Sequence, residues 1–208
     1  MKQVAKNLVV LGALALAGSA VAEFGDFAPY AGVDYHHAWM KEKLDAGSTQ
    51  AMPKSFPGAS FYVGTKFHEN FGAELGYTLT PTAKKNYKEA AAGVDETYKF
   101  KRPSAHIDLL GFLPVADCFE LMGSVGYGLV KPKITVVDNT APSTSAKIPT
   151  KKHGVFRFGF GGIYNITEMF GLRAKLGYET TSSMRYKNTS EKAFKNSLTA
   201  SAGVFVKF

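Results

Sequence analysis

From Phe71 the chain alternates, with Phe71, Ala73, Leu75, Tyr77 and Leu79 on one parity and Gly72, Glu74, Gly76, Thr78 and Thr80 on the other. Side chains of a strand point alternately to its two faces, so this segment has one apolar face and one face of glycine with a carboxylate. The segment before it sets Ala59, Phe61, Val63, Thr65 and Phe67 against Ser60, Tyr62, Gly64 and Lys66, and only His68-Glu69-Asn70 lies between. Two alternating runs so closely joined predict a hairpin.

The pattern recurs along the chain. Ala31, Val33, Tyr35 and Trp39 oppose Gly32, Asp34 and His36. Ala105, Ile107, Leu109 and Leu113 oppose His106 and Asp108, and Leu121, Val125, Tyr127 and Leu129 oppose Glu120, Ser124, Gly126 and Gly128. Phe156, Phe158, Phe160 and Tyr164 oppose Arg157, Gly159 and Gly161. Phe170, Leu172, Ala174, Leu176 and Tyr178 oppose Arg173, Lys175, Gly177 and Glu179. Last, Leu198, Ala200, Ala202, Val204, Val206 and Phe208 oppose Thr199, Ser201, Gly203 and Lys207. These segments predict eight strands, and no stretch of comparable strength has a helical period. Connections after the second, fourth and sixth are short: His68 to Asn70, Pro114 to Cys118, Asn165 to Met169. The others are long and polar: Met40 to Lys54, Pro81 to Thr97, Pro132 to Lys152, Thr181 to Asn196. The alternation of short turns and long loops predicts an all-β, antiparallel up-and-down barrel.

A soluble barrel of this size is apolar inside, and a membrane barrel is the inverse. Here the glycines and charges share a parity, as a narrow lumen requires, and the large apolar residues share the other. Phe119/Tyr127, Phe156/Tyr164 and Phe170/Tyr178 each stand eight residues apart on the apolar parity. Eight tilted steps climb roughly 20 Å, close to the lipid-facing band between two aromatic girdles. The pattern therefore predicts an outer-membrane barrel. The last strand ends in the aromatic Phe208, which fits a C-terminal insertion signal for the barrel-assembly machinery.

Composition narrows this further. Mean hydropathy is only −0.09 although hydrophobic residues make up 45% of the 208-residue chain, because they are parcelled at every second position. The exception is the N-terminus. Lys2 and Lys6 precede an apolar run from Leu8, and Val21-Ala22 closes an Ala-x-Ala end, so residues 1–22 are expected to be a signal peptide and residues 23–208 the barrel domain. Cleavage would remove two lysines and lower the net charge from +8 to +6. The single Cys118 excludes a disulfide framework and any CxxC site.

The runs Tyr62-Val63-Gly64 through Glu74-Leu75-Gly76-Tyr77, and Phe158 to Tyr164 through Leu172 to Tyr178, resemble the transmembrane domain of the outer membrane protein A family. The resemblance implies an eight-stranded barrel with its N-terminus in the periplasm and long loops outside. Because the chain stops at the last strand, the family's periplasmic peptidoglycan-binding domain is expected to be absent. The resemblance also implies an ionic pair in the lumen, and Glu74 and Arg173 match its two positions. Glu74 is expected to contact Arg173, or a neighbouring base such as Lys66 or Lys175. Asp34, Lys66, Glu74, Asp108, Arg157, Arg173, Lys175 and Glu179 should form a lumen network, since isolated buried charges are costly. Such a network either gates ions or plugs the lumen, and the plug is the expectation because eight strands enclose only side chains.

Catalysis is not expected. Asp34 and His36 share a parity near the outer end of the first strand, but no patterned nucleophile accompanies them, and polar rim residues explain the same letters. A lipid A-modifying enzyme and a narrow ion channel stand as alternatives. No phosphate loop, cofactor motif or metal-ligand spacing is present. The external loops carry Lys84, Lys85, Lys88, Lys151, Lys152, Lys187 and Lys192 among their bases. Lipopolysaccharide phosphates, with sulfated host glycans as the alternative, are the expected anionic partners, not nucleic acid. The expected unit is a monomer with a structural or surface-interaction, adhesin-like role.

Overall fold

The computed structural model describes residues 27–42, 55–89, 94–139, 145–148, 152–181 and 194–208; the expected leader, 1–22, lies outside them. Strands run in the order β1 (Ala28–Glu42), β2 (Ser55–His68), β3 (Phe71–Leu79), β4 (Ala83–Glu89), β5 (Val94–Lys101), β6 (Ser104–Ala116), β7 (Phe119–Val130), β8 (Lys133–Asp138), β9 (Ser145–Ile148), β10 (His153–Asn165), β11 (Phe170–Thr181) and β12 (Phe194–Lys207). Eight of them close a barrel in the order β1-β12-β11-β10-β7-β6-β3-β2, with every pair antiparallel. These are the eight strands of the alternating pattern. Closure is made by β1 on β12, from Tyr30↔Lys207 to Met40↔Ser197. Among the described residues there is no helix.

The two parities separate as the alternation demands. Leu75 is 57% and Phe160 61% exposed on the outer wall, whereas Asp34 and Glu74 are each 1% exposed inside. Large apolar groups outside and charges inside invert the soluble pattern and suit a wall that meets lipid. Three tight turns close one end, at Glu69-Asn70, Asp117-Cys118 and 166–169. Asn70 and Cys118 accept backbone hydrogen bonds from Phe112 (2.8 Å) and Asn165 (2.7 Å), which ties adjacent hairpins together there.

At the opposite end the structure departs from the sequence expectation. The connections Pro81 to Thr97 and Pro132 to Lys152 are not simply loops, since they contain β4, β5, β8 and β9 paired as a second sheet in that order. The central ladder of this sheet extends the barrel wall. Lys101↔Lys133 and Phe100↔Ile134 of β5–β8 keep the register of Ser104↔Val130 in β6–β7, and Lys131 N donates to Pro103 O (3.0 Å) between the two ladders. Two hairpins simply overshoot the lipid band.

Lumen apolar groups gather in two places. Tyr62, Leu110, Phe112, Met122, Ile163 and Phe205 cluster in the short-turn half, beside a cavity of about 70 Å³. Ala38, Met40 and Phe56, at the far ends of β1 and β2, pack against Phe100 and Ile134 of the second sheet. The overshooting sheet thus folds its inner face onto the mouth of the barrel.

Candidate functional site

Between the two apolar clusters lies a layer of charge. Arg173 on β11 is its hub. Its Nε and Nη2 donate to Asp34 Oδ2 at 3.0 and 2.6 Å, and its Nη1 donates to Glu74 Oε2 at 2.5 Å. The guanidinium carbon sits 3.3 Å from the centroid of the Tyr62 ring, a stacked cation–π arrangement. Tyr30 Oη donates to Glu74 Oε2 at 3.4 Å.

A second group lies further toward the long-loop end. Arg102 Nη2 donates to Glu179 Oε2 at 2.6 Å, and Ser197 Oγ donates to the same oxygen at 3.2 Å. Arg157 Nη1 is 3.3 Å from Glu179 Oε1, and Lys175 Nζ donates to Asp108 Oδ2 at 3.3 Å. Arg157 Nε also lies 3.3 Å from Asp108 Oδ1, within ion-pair range but without hydrogen-bond alignment. A third group closes the short-turn end. Lys66 pairs with Glu120, Asn165 Nδ2 donates to Glu120 Oε1 (3.2 Å), and Lys207 Nζ donates to Asn165 Oδ1 (2.8 Å).

Glycines make this layer possible. Asp34 and Arg173 sit on strands separated by β12, and both register on Gly203. A Cβ at Gly203 would stand 2.0 Å from Val33 O and 2.5 Å from Asp34 Oδ1. Only a bare backbone lets the two side chains meet above the intervening strand. Gly126 serves Asp108 and Arg157 in the same way, where a Cβ would come 2.1 Å from Asp108 Oδ1.

All eight sequence-named lumen residues therefore lie inside the barrel, and each has an ion-pair partner. Glu74 does meet Arg173, while Lys66 meets Glu120 instead. Arg102 and Glu120 were missing from the expected network. Glu120 stood on the polar parity of its strand, and counting every charge on that parity finds it. Arg102 precedes Pro103 outside the alternating run, and only the continuous β5–β6 path turns it inward. With them, five carboxylates (Asp34, Glu74, Asp108, Glu120, Glu179) face five cations (Lys66, Arg102, Arg157, Arg173, Lys175) in ion pairs.

Asp34 and His36 are not rim residues; both are buried in the lumen, and Asp34 is held by Arg173. Glu74, His106 and Asp108 bring possible ligand atoms within 4.8 Å of one another. Arg173, Arg157 and Lys175 already neutralise those carboxylates, which leaves a poor donor set for a cation. On the outer wall, His37 Nε2 lies 2.6 Å from Ser55 Oγ and His37 Nδ1 lies 3.2 Å from Tyr35 Oη. Nothing along the chain marks this contact, because Ser55 reaches His37 only through the β1–β2 pairing.

Of the expected loop bases, Lys84 is exposed on β4, Lys85 and Lys88 are also β4 residues and not loop residues, and Lys152 is exposed just before β10. Lys151, Lys187 and Lys192 lie outside the described residues. Phe208 follows β12, half exposed, and its amide donates to Pro29 O (3.0 Å).

Residues 8–208 match the family described as the outer membrane protein beta-barrel domain. No curated protein matches the sequence. Among solved structures, the outer membrane protein OprG of Pseudomonas aeruginosa aligns with a TM-score of 0.58 at 11% identity, over 87% of this chain and 95% of its own. A major outer membrane protein of Thermus thermophilus aligns at 0.53 and 11%, over 87% and 99%. The attachment invasion locus protein Ail of Yersinia pestis, in complex with the heparin analogue sucrose octasulfate, aligns at 0.51 and 15%, over 88% and 97%.

Proposed function

Since the chain belongs to the outer membrane protein β-barrel domain family and is an outer-membrane barrel, we propose that its barrel is closed and non-catalytic and that its role is structural and surface-interactive. The observation that carries this is the lumen. Four acids and four bases in ion pairs cross its section between two apolar clusters, and Lys66 with Glu120 closes the short-turn end below them. Paired buried charges hold one another rigidly, because separating any pair leaves a desolvated charge behind. The network acts as a plug and not as a gate. Phe208 serves the barrel-assembly machinery as the terminal aromatic of an insertable strand, and the barrel works as a monomer without a cofactor.

Planar-bilayer recording of the purified protein tests the plug. A silent bilayer is expected; steady open-channel current would overturn the reading in favour of a channel.

The surface role draws on the overshooting sheet, whose outward positions are rich in lysine and suit an anionic partner. Ail, similar in fold, was solved with a heparin analogue, which supports the same partner class. Loss of host-cell attachment in a deletion strain with an intact envelope would support adhesion. A damaged envelope with normal attachment would favour a purely structural role.

One observation favours a second reading, an enzyme acting on lipid A. Ser55, His37 and Tyr35 form a hydrogen-bonded row on the outer wall, the order of a nucleophile, a base and a group that orients it. Mass spectrometry of lipid A from cells carrying Ser55→Ala decides it; an unchanged profile rejects the enzyme.

A further inference from the structure

We propose that the outward face of the overshooting sheet is a docking surface for the phosphate groups of lipopolysaccharide packed beside the barrel. The inference rests on the outer-membrane and surface-interaction reading, and it names the partner of that surface.

The β6–β7 and β5–β8 ladders share one register across the Pro103 and Pro132 junction, where Lys131 N donates to Pro103 O. Because the register is kept, the wall parity is kept as well. On β7 and its continuation, the outward series runs Val125, Tyr127, Leu129, Lys131, Lys133, all exposed, while Val130, Pro132 and Ile134 are buried. On β6 and β5 it runs Leu109, Ile107, Ala105 and, beyond Pro103, Lys101 and Lys99, with Lys101 exposed. The same face thus changes from lipid-facing hydrocarbon to lysine within a few residues. Lys99 is paired in register with Lys84 of β4, and Lys101 with Lys133.

Height fits the partner. At roughly 2.5 Å of rise per tilted residue, Lys131 stands about 10 Å above Tyr127 and Lys133 about 15 Å above it. That spans the headgroup layer beyond the hydrocarbon edge. Directly opposed like charges destabilise a sheet. Among the described residues no ion pair engages Lys84, Lys99, Lys101, Lys131 or Lys133. The inner face cannot take a partner, since Phe100 and Ile134 are packed onto Ala38, Met40 and Phe56. The lysines instead flank the wall, where a phosphorylated glycolipid standing against Tyr127 and Ile107 presents its anions.

The test uses the full folded protein in vesicles of phosphatidylcholine alone, with added lipopolysaccharide, or with enzymatically dephosphorylated lipopolysaccharide. Thermal unfolding is read by the electrophoretic shift between folded and unfolded barrels. Lipopolysaccharide should raise the midpoint by about 5–10 °C, and the dephosphorylated form should not. The triple variant Lys101→Glu/Lys131→Glu/Lys133→Glu should lose this shift while keeping its midpoint in phosphatidylcholine, since one like-charge pair replaces another. The triple glutamine variant should lose most of the shift, and it replaces the charge reversal if that fails to fold. An equal shift with dephosphorylated lipopolysaccharide, or a full shift in both variants, overturns the proposal. So does retention on heparin at ~0.15 M salt that needs these lysines when lipopolysaccharide has no effect, which hands the face to a soluble polyanion. A conducting barrel would sink the closed-lumen reading and leave this result standing.

Discussion

Arg173 and Asp34 meet across a strand that belongs to neither, 2.6 Å apart over the bare backbone of Gly203. The guanidinium also holds Glu74 Oε2, so one cation pairs with two buried carboxylates from β1 and β3.

Removing that cation should therefore cost more than one pair. Arg173→Ala is expected to lower stability by about 3–5 kcal/mol, because it strands two desolvated carboxylates. Urea titration of the folded barrel in vesicles, followed by tryptophan fluorescence, measures it. Adding Asp34→Asn and Glu74→Gln to Arg173→Met should recover much of the loss; no recovery would mean that shape, not charge, holds the layer.

Space above the glycines yields a paired test. Gly203→Ala places a methyl 2.0 Å from a backbone oxygen and is expected to destabilise by about 1–3 kcal/mol. Gly123→Ala meets nothing within 4 Å and should be close to neutral. Equal effects in the same urea assay would refute the packing argument.

Phe100 and Ile134 anchor the overshooting sheet to the barrel mouth. Phe100→Ala with Ile134→Ala should release the sheet and leave the wall intact. Trypsin should then cut at Lys99 or Lys133 at least several-fold faster, while the electrophoretic shift of the barrel persists. Unchanged cleavage would show that the contact contributes little.

Cys118 sits half-buried in the Asp117-Cys118 turn at the short-turn end, the end expected to face the periplasm. A membrane-impermeant thiol reagent should label it only after the outer membrane is breached. A cysteine at Lys133 in a Cys118→Ser background should label on whole cells. The reverse pattern would invert the barrel.

The alternation at Phe71–Leu79 already says which residues face lipid and which face the lumen, because a strand has only two faces and each chose a different chemistry. The same logic placed Asp34, Glu74, Asp108, Arg157 and Arg173 together inside before any pairing was known. It could not say who holds whom. Lys66 finds Glu120 rather than Glu74, and Arg102 enters the lumen from beyond Pro103. The connections around Lys84 and Lys133 read as polar loops, since their outward positions are lysine and threonine and no apolar face marks a membrane strand.

By itself, the sequence determined the periodicity, the number of wall strands and most of the buried charges, since each of these is local to a strand. Partner choice, the Ser55–His37 contact and the second sheet were decided only by the closed barrel. Register across non-adjacent strands, and the room left above Gly203 and Gly126, are properties of the assembled wall. Ion pairs over a glycine have no signature along the chain, because their members lie 139 and 49 positions apart and meet only when β12 or β7 has docked between their strands.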